Sequence, residues 1–460
     1  MSIAGSRSAS SAWRDEAAAL VRLALPLIAG NLAWSGIAAT DLLLLGRAGP
    51  DAVASGALAI NVFNALLIAG IGLVTAASPL IASERGRRRH SVRDIRRTVR
   101  QTIWSALLYA IPASVLLWHG GTVLRLLHQD PALSAGAADL LRGLVWALPF
   151  YLVFMTLRNF VAALERPQWA VVAIVAAIPI DAIAGWALIF GHLGLPALGL
   201  FGAGLASSIT AAAMALTLGT VVLCDRQFRR YALMGRFWVA DWARFRDVWR
   251  IGLPIAVTLA LEVTVFNAAA FLIGLIDRVS LAAHAIAIQI AALSFMVPMG
   301  IAQAATIRVG YHFGGEDAVA AGRAGWAALA VGVVYAAIAG LLLLVFPRAF
   351  VGIFIDVGDP ANATVVRLAV SFLLVAAFFQ LFDCTQAIGA GVLRGIQDTR
   401  VPMLFAAFGY WGIGIGVGAL LAFRFGMGGV GVWLGLAAGL GVVSVLMVAR
   451  WARRRRIVTL

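Results

Sequence analysis

Four acidic side chains stand inside stretches too apolar to meet bulk water. They are Asp41 in GIAATDLLLLG, Asp181 in AAIPIDAIAG, Glu262 in LALEVTVF and Asp383 in FFQLFDCTQ. A bare carboxylate in hydrocarbon is costly, so each must face a polar interior, pair with a partner, or hold a proton. Any of these suits ion-coupled chemistry, in which a carboxylate exchanges a proton or monovalent cation for another positive charge. Gln380 and Gln386 lie three residues to either side of Asp383, which places the three polar groups on one helix face. That stripe can hold a cation or a substrate ammonium, or it can be an interhelical hydrogen-bond seam. Asp181 follows Pro179, whose missing N–H frees a carbonyl for a cation site. Asn31, Asn64, Asn267 and Gln289 are neutral candidates for lining a cavity. His284, near the start of its apolar run, is expected to hydrogen-bond at the membrane interface.

The elements that carry these groups follow from composition. Hydrophobic residues make up 62% of the 460 and charged residues 12%, with a mean hydropathy of +0.94. A soluble domain has about a quarter of its residues charged, so the chain is a polytopic membrane protein. Twelve apolar runs reach the roughly 20 residues that a crossing needs. They span 17–45, 53–83, 99–119, 138–163, 169–190, 199–223, 248–276, 281–311, 322–346, 366–393, 402–424 and 428–452. The runs are continuous and do not alternate, which excludes a β-barrel and requires helices. The fold class is therefore all-α with twelve transmembrane helices.

The chain repeats itself. Shifted by 228 positions, Leu25–Gly86 falls on Leu253–Gly314, matching Pro26 with Pro254, Gly46 with Gly274 and Gly72 with Gly300. Two six-helix lobes follow, 1–223 and 248–460, joined by a linker at 224–247. With six helices each they share one orientation, so a pseudo-two-fold axis runs along the membrane normal. Such repeats mark transporters, with the binding site near mid-membrane. The acids are not repeated: Asp41 aligns with Ala269, and Glu262 with Trp34. Pro26, Pro112, Pro179, Pro254 and Pro298 fall inside helical runs and permit kinks.

Net charge is +15, and every one of the 36 basic residues is arginine. The arginines cluster in connectors, as in ERGRRRHSVRDIRRTVR and the terminal RWARRRR, where they act as topology signals and attract anionic headgroups. This pattern argues against nucleic acid as a partner and predicts both termini in the cytoplasm. Asp241–Arg250 is expected to be a surface helix leading into the seventh span. Cys224 and Cys384 have no pair spacing and suggest neither disulfide nor metal site. No paired catalytic constellation such as HExxH is present, which argues against an enzyme.

With these residues in view, the chain resembles the multidrug and toxic compound extrusion (MATE) family, in its NorM-type branch. The resemblance rests on LEVTVF, AAHAIAIQ, MVPMGIAQAATIRVGYHFG and FFQLFDCTQAIGAGVLRGIQDTRVP, in order, and covers nearly all twelve helices. It implies export of drugs and other cationic amphiphiles across a bacterial inner membrane, in exchange for Na+ or H+, without a cofactor. It further implies cation coupling at Glu262, Asp383 and Asp41, with Na+ possible at Glu262 and Asp383. Asp181, Gln380, Gln386, Asn31, Trp34 and Asn267 would then border the cation or substrate cavity. The expected state is a monomer. Two positions depart from the family pattern. Trp34 stands where the family often has Gln, and the polar pair of the fifth helix is reduced to Asp181 with Gly185. A flippase for lipid-linked saccharides is the nearest alternative; it calls for an arginine-rich cavity, whereas the mid-helix charges singled out above are acids and the arginine clusters lie in the connectors.

Overall fold

The computed structural model describes residues 9–87, 91–126, 128–235 and 237–454. In chain order the spanning helices are α1 (Ala9–Ala48), α2 (Pro50–Thr75, resumed as Ala77–Arg87), α3 (Ser91–Trp118), α4 (Pro131–Leu144 and Ala147–Ala163), α5 (Gln168–Phe190) and α6 (Gly199–Cys224). The second half holds α7 (Trp242–Gly274), α8 (Arg278–Gly314), α9 (Ala318–Val345), α10 (Ala363–Gly395), α11 (starting as Arg400–Ala406) and α12 (Gly428–Ala452). Among the described residues eleven helices are long and apolar enough to cross a bilayer, and the bent pair in α4 makes a twelfth crossing.

Proline explains the breaks. The run 138–163 reads as one helix in sequence, but α4 bends by 47° between its halves. Pro149 has no N–H to give the carbonyl of Val145, so the ladder opens there. Pro79 does the same to Thr75, and α2 is interrupted at Ala76. All five prolines expected inside helices are inside them. The stretch 241–250 is not a separate surface helix: α7 runs unbroken from Trp242, its first turn capped where Asp241 Oδ1 accepts from the Arg244 N–H.

Two compact units emerge. One holds Ala29–Val257; the other holds the described residues of Met1–Ile28 and Thr258–Leu460. The boundary therefore cuts inside α1 and α7, not in the linker at 224–247 where the repeat places it. Glycine explains why. A side chain at Gly72 would run into the backbone of Ala256, its Cβ only 2.7 Å from the amide nitrogen, so α2 and the first half of α7 pack backbone to backbone. In the other unit Gly300 of α8 meets Ile28 in the same way, 3.0 Å from its amide nitrogen. Both positions of each contact are related by the 228-residue shift.

Candidate functional site

In the carboxy-terminal unit α7, α10 and α11 bring two acids to one amide. Asp383 is buried on α10, and the Gln386 Nε2 donates to its Oδ1 at 3.3 Å. Half-buried Glu262 on α7 lies close to this amide and within electrostatic range of Asp383. The amide is held from behind, because the hydroxyl of buried Tyr410 donates to Gln386 Oε1 at 2.8 Å. Tyr410 lies in a wide π-helical stretch of α11, Ala407–Ile415, a local widening that turns it inward. The Arg394 guanidinium, in the last turn of α10, interacts electrostatically with Glu262 and Tyr410. Two carboxylates with one guanidinium leave a surplus negative charge, which a proton or a monovalent cation can neutralise.

The polar stripe on α10 divides. Gln380 is fully buried, yet its Nε2 donates to Ser294 Oγ at 2.7 Å, and Ser294 meets the Tyr335 hydroxyl at 2.9 Å. Three residues advance a helix by about 300°, so Gln380 and Gln386 flank Asp383 on opposite sides, about 120° apart. Only Gln386 joins the acids. Asn267 is exposed on α7 and makes no hydrogen bond to either acid among the described residues. His284 departs from its interfacial expectation. It sits six residues inside α8, buried against Trp433 with ring centroids 5.7 Å apart, and its Nδ1 has no partner among the described residues.

The amino-terminal unit is built differently. Asp181 of α5 is buried, and its Oδ1 accepts from Thr210 Oγ1 at 2.9 Å, while its Oδ2 has no partner among the described residues. Asp41 of α1 is half-buried and accepts from Ser207 Oγ at 3.4 Å. Ser207 and Thr210 share a face of α6, one turn apart, and so bring the two acids together. Asp41 and Asp181 lie within electrostatic range of each other and of buried Tyr151. The Trp34 ring stands 5.1 Å from Tyr151 and 6.5 Å from Phe154. Asn31 is committed elsewhere, accepting from Arg158 at 2.6 Å in a buried pair. At Gly185, where the family has its second polar group, a Cβ would collide only with the terminal methyl of Leu44, which would have to shift.

The turns that end α4 and α10 fix a second register. In α4 the N–H of Glu165 bonds the carbonyl of Ala162, and that of Arg166 the carbonyl of Val161. In α10 Gln397 bonds Arg394 and Asp398 bonds Leu393, 232 positions on, with both Glu165 and Gln397 at positive φ. In this register Tyr151 occupies the place of Asp383. The 228-residue shift already puts Trp34 in the place of Glu262. One unit thus holds a pair of acids where the other holds a pair of aromatic rings.

Sequence reasoning passed over Tyr151, Tyr410, Arg158 and Arg394. Arg394 fell one residue beyond the apolar run 366–393 and read as connector, and Arg158 lay inside a run without being singled out. Tyrosines at helix positions carry no mark distinguishing them from packing.

Comparison with known proteins agrees with this architecture. A model of the MatE family matches twice, over residues 26–187 and 254–420, two matches that begin 228 positions apart. A probable multidrug resistance protein NorM of Mesorhizobium japonicum is 52% identical over 455 residues, covering 99% of this chain and 97% of the relative. Its counterpart in Brucella suis is 50% identical over 441 residues, covering 96% and 94%. The fold is shared with the eukaryotic MATE transporter AtDTX14, at a TM-score of 0.84, 22% identity and coverage of 97% and 98%. It is shared too with an outward-facing multidrug resistance MATE transporter of the MOP superfamily, at a TM-score of 0.85, 17% identity and 96% coverage of each chain. Matched at this identity along almost its whole length and by the family model in both halves, the chain belongs to the MATE family of membrane transporters.

Proposed function

We propose that this chain is a secondary antiporter that exports cationic and amphipathic drugs in exchange for Na+ or H+ by alternating access. The observation that carries this reading is the contrast between the two polar centres. The carboxy-terminal centre, Glu262–Gln386–Asp383, has the composition of an inorganic cation site. The amino-terminal centre sets Asp41 and Asp181 near the Trp34–Tyr151 pair, which offers an organic cation both counter-charge and ring faces. The NorM names of the relatives support drug export.

The residues present fit Na+ at Glu262 and Asp383, because hard cations take oxygen ligands and carboxylates supply them. Gln386 donates its N–H to Asp383 while Tyr410 holds its oxygen. An arriving cation competes with this amide for the Asp383 carboxylate oxygens, and a proton on that acid weakens the hydrogen bond it accepts. Linkage makes the coupling reciprocal: whatever factor the ion removes from drug affinity, the drug removes from ion affinity. In this reading the positive-inside rule supports cytoplasmic termini, and the protein works as a monomer in the inner membrane.

Dye efflux from inverted vesicles, driven in turn by an imposed Na+ gradient and an imposed pH gradient, tests the reading and names the ion. Glu262→Gln and Asp383→Asn should each abolish ion-driven export while leaving the protein in the membrane. Ion-coupled export surviving in both variants would defeat the proposal.

A further inference from the structure

We propose that a cavity on the arginine-rich face of the amino-terminal unit binds the phosphodiester of an anionic phospholipid. The cavity measures about 360 Å³, and its charged walls are Arg85, Glu165, Arg166 and Arg230, with Leu164, Gln227 and Phe228 completing them. Three elements converge there because α2, α4 and α6 each end on the same face. Arg85 comes from the last turns of α2, Glu165 and Arg166 from the turn after α4, and the others from the short helix Arg226–Arg229 and its next residue.

The walls are held in place by apolar anchors. Phe228 is buried with its ring 5.9 Å from Phe160, and Tyr231 is buried edge-on to the same ring at 5.4 Å. These two aromatics pin the backbone on either side of Arg230. Its guanidinium lies over the Tyr231 ring at 5.0 Å and donates to the Tyr231 hydroxyl at 3.0 Å. Arg85 donates to the Ala163 carbonyl at 3.2 Å and pairs with Glu165 at 3.2 Å. The turn that carries Arg166 is closed by its own N–H on Val161 at 2.9 Å, with Glu165 at a φ of 61°. Arg166 is half-buried, and its side chain has neither a hydrogen bond nor an ion pair among the described residues.

Three guanidiniums against one carboxylate leave an excess of two positive charges. Guanidinium forks match phosphate oxygens, and a half-buried one without a partner calls for an anion. The ends of spanning helices lie at headgroup depth, where basic pockets on the cytoplasmic side meet anionic lipids. Free phosphate offers the same chemistry, but the position at the helix ends favours the lipid.

Lipid binding to the purified full-length protein in detergent, followed by native mass spectrometry, tests this with three probes: phosphatidylglycerol, phosphatidylcholine and inorganic phosphate. Phosphatidylglycerol should be retained about tenfold more tightly than phosphatidylcholine. The double substitution Arg166→Gln with Arg230→Gln should remove that preference, and Arg166→Lys with Arg230→Lys should keep part of it. Glu165→Gln should strengthen retention by removing the opposing charge. Arg142→Gln, at an exposed pair on α4 away from the cavity, controls for general charge loss. Equal retention of both lipids, an unchanged preference in the double glutamine variant, or binding of inorganic phosphate without phosphatidylglycerol would overturn the proposal.

Discussion

Arg244 and Glu84 form an ion pair in the amino-terminal unit, and the residues 228 positions away from each also pair, with acid and base exchanged. Glu84 at the end of α2 is buried, and it accepts from Arg244 at the start of α7 and from Thr98 Oγ1 at 2.7 Å. The repeat turns Glu84 into His312 and Arg244 into Glu16. His312 Nε2 stands 3.4 Å from Glu16, which also holds Arg308 through both carboxylate oxygens, at 2.8 and 2.7 Å. Each pair ties the first turns of α1 or α7 to the compact unit with which they pack. Acid and base changed places while the contact was kept, because the helices still meet at matched glycines.

The pairs should differ in what their loss does. Arg244→Gln strands a carboxylate that is 3% exposed, at a cost of about 3 kcal/mol. Removing both charges with Glu84→Gln and Arg244→Gln should cost less than the single change, as thermal unfolding in detergent would show. In the other unit His312→Ala should cost little, since Arg308 keeps both bonds to Glu16.

Backbone contact at the matched glycines makes a second expectation. Gly72→Val and Gly300→Val each force helices apart where even a Cβ lies within 3.0 Å of a backbone nitrogen. Both should lower the unfolding temperature and the yield in the membrane, by a cost of at least about 1 kcal/mol. Gly46→Ala, with open space around it, should do neither.

Gln386 positions the acids through its amide. Gln386→Leu removes the amide that donates to Asp383 beside Glu262 and leaves the Tyr410 hydroxyl without its acceptor. Ion dependence of transport should shift at least about tenfold while drug affinity, measured without a gradient, stays near its original value. Tyr410→Phe should reproduce part of that shift.

The aromatic pair predicts the converse. Trp34→Ala or Tyr151→Ala should weaken organic cation binding several-fold, the loss of about 1 kcal/mol expected for a ring face. Binding of a permanent cation and of a neutral analogue of equal size, compared by fluorescence, checks this. Equal losses for both ligands would assign the rings to packing alone.

The turn before α8 carries a titration outside the membrane. The Ser280 N–H, at 2.6 Å, and then its hydroxyl, at 2.8 Å, hold the Asp277 carboxyl below the usual carboxylate range. A depressed value in the folded state means that the cap stabilises fully above the unfolded value near 3.8 and fades as pH falls through the folded one. Asp277→Asn keeps an acceptor but does not titrate. Unfolding temperatures of the two proteins should therefore begin to converge as pH falls below about 4 and differ little in slope above it.

Much of this was legible in the chain. Composition dictated membrane helices, run lengths gave twelve of them, and the 228-residue shift gave two related lobes, because hydrocarbon tolerates so few alternatives. The four acids announced themselves, since a carboxylate among leucines has no bland setting. Other features were decided only in three dimensions. Which side of Asp383 joins the acid centre depended on about 60° of helix rotation, a difference that spacing alone did not resolve between Gln380 and Gln386. The place of Tyr151 opposite Asp383 depended on a turn register of 232, invisible to a scan at 228. The unit boundaries inside α1 and α7 depended on backbone contacts at Gly72 and Gly300, where what mattered was the side chain that glycine lacks.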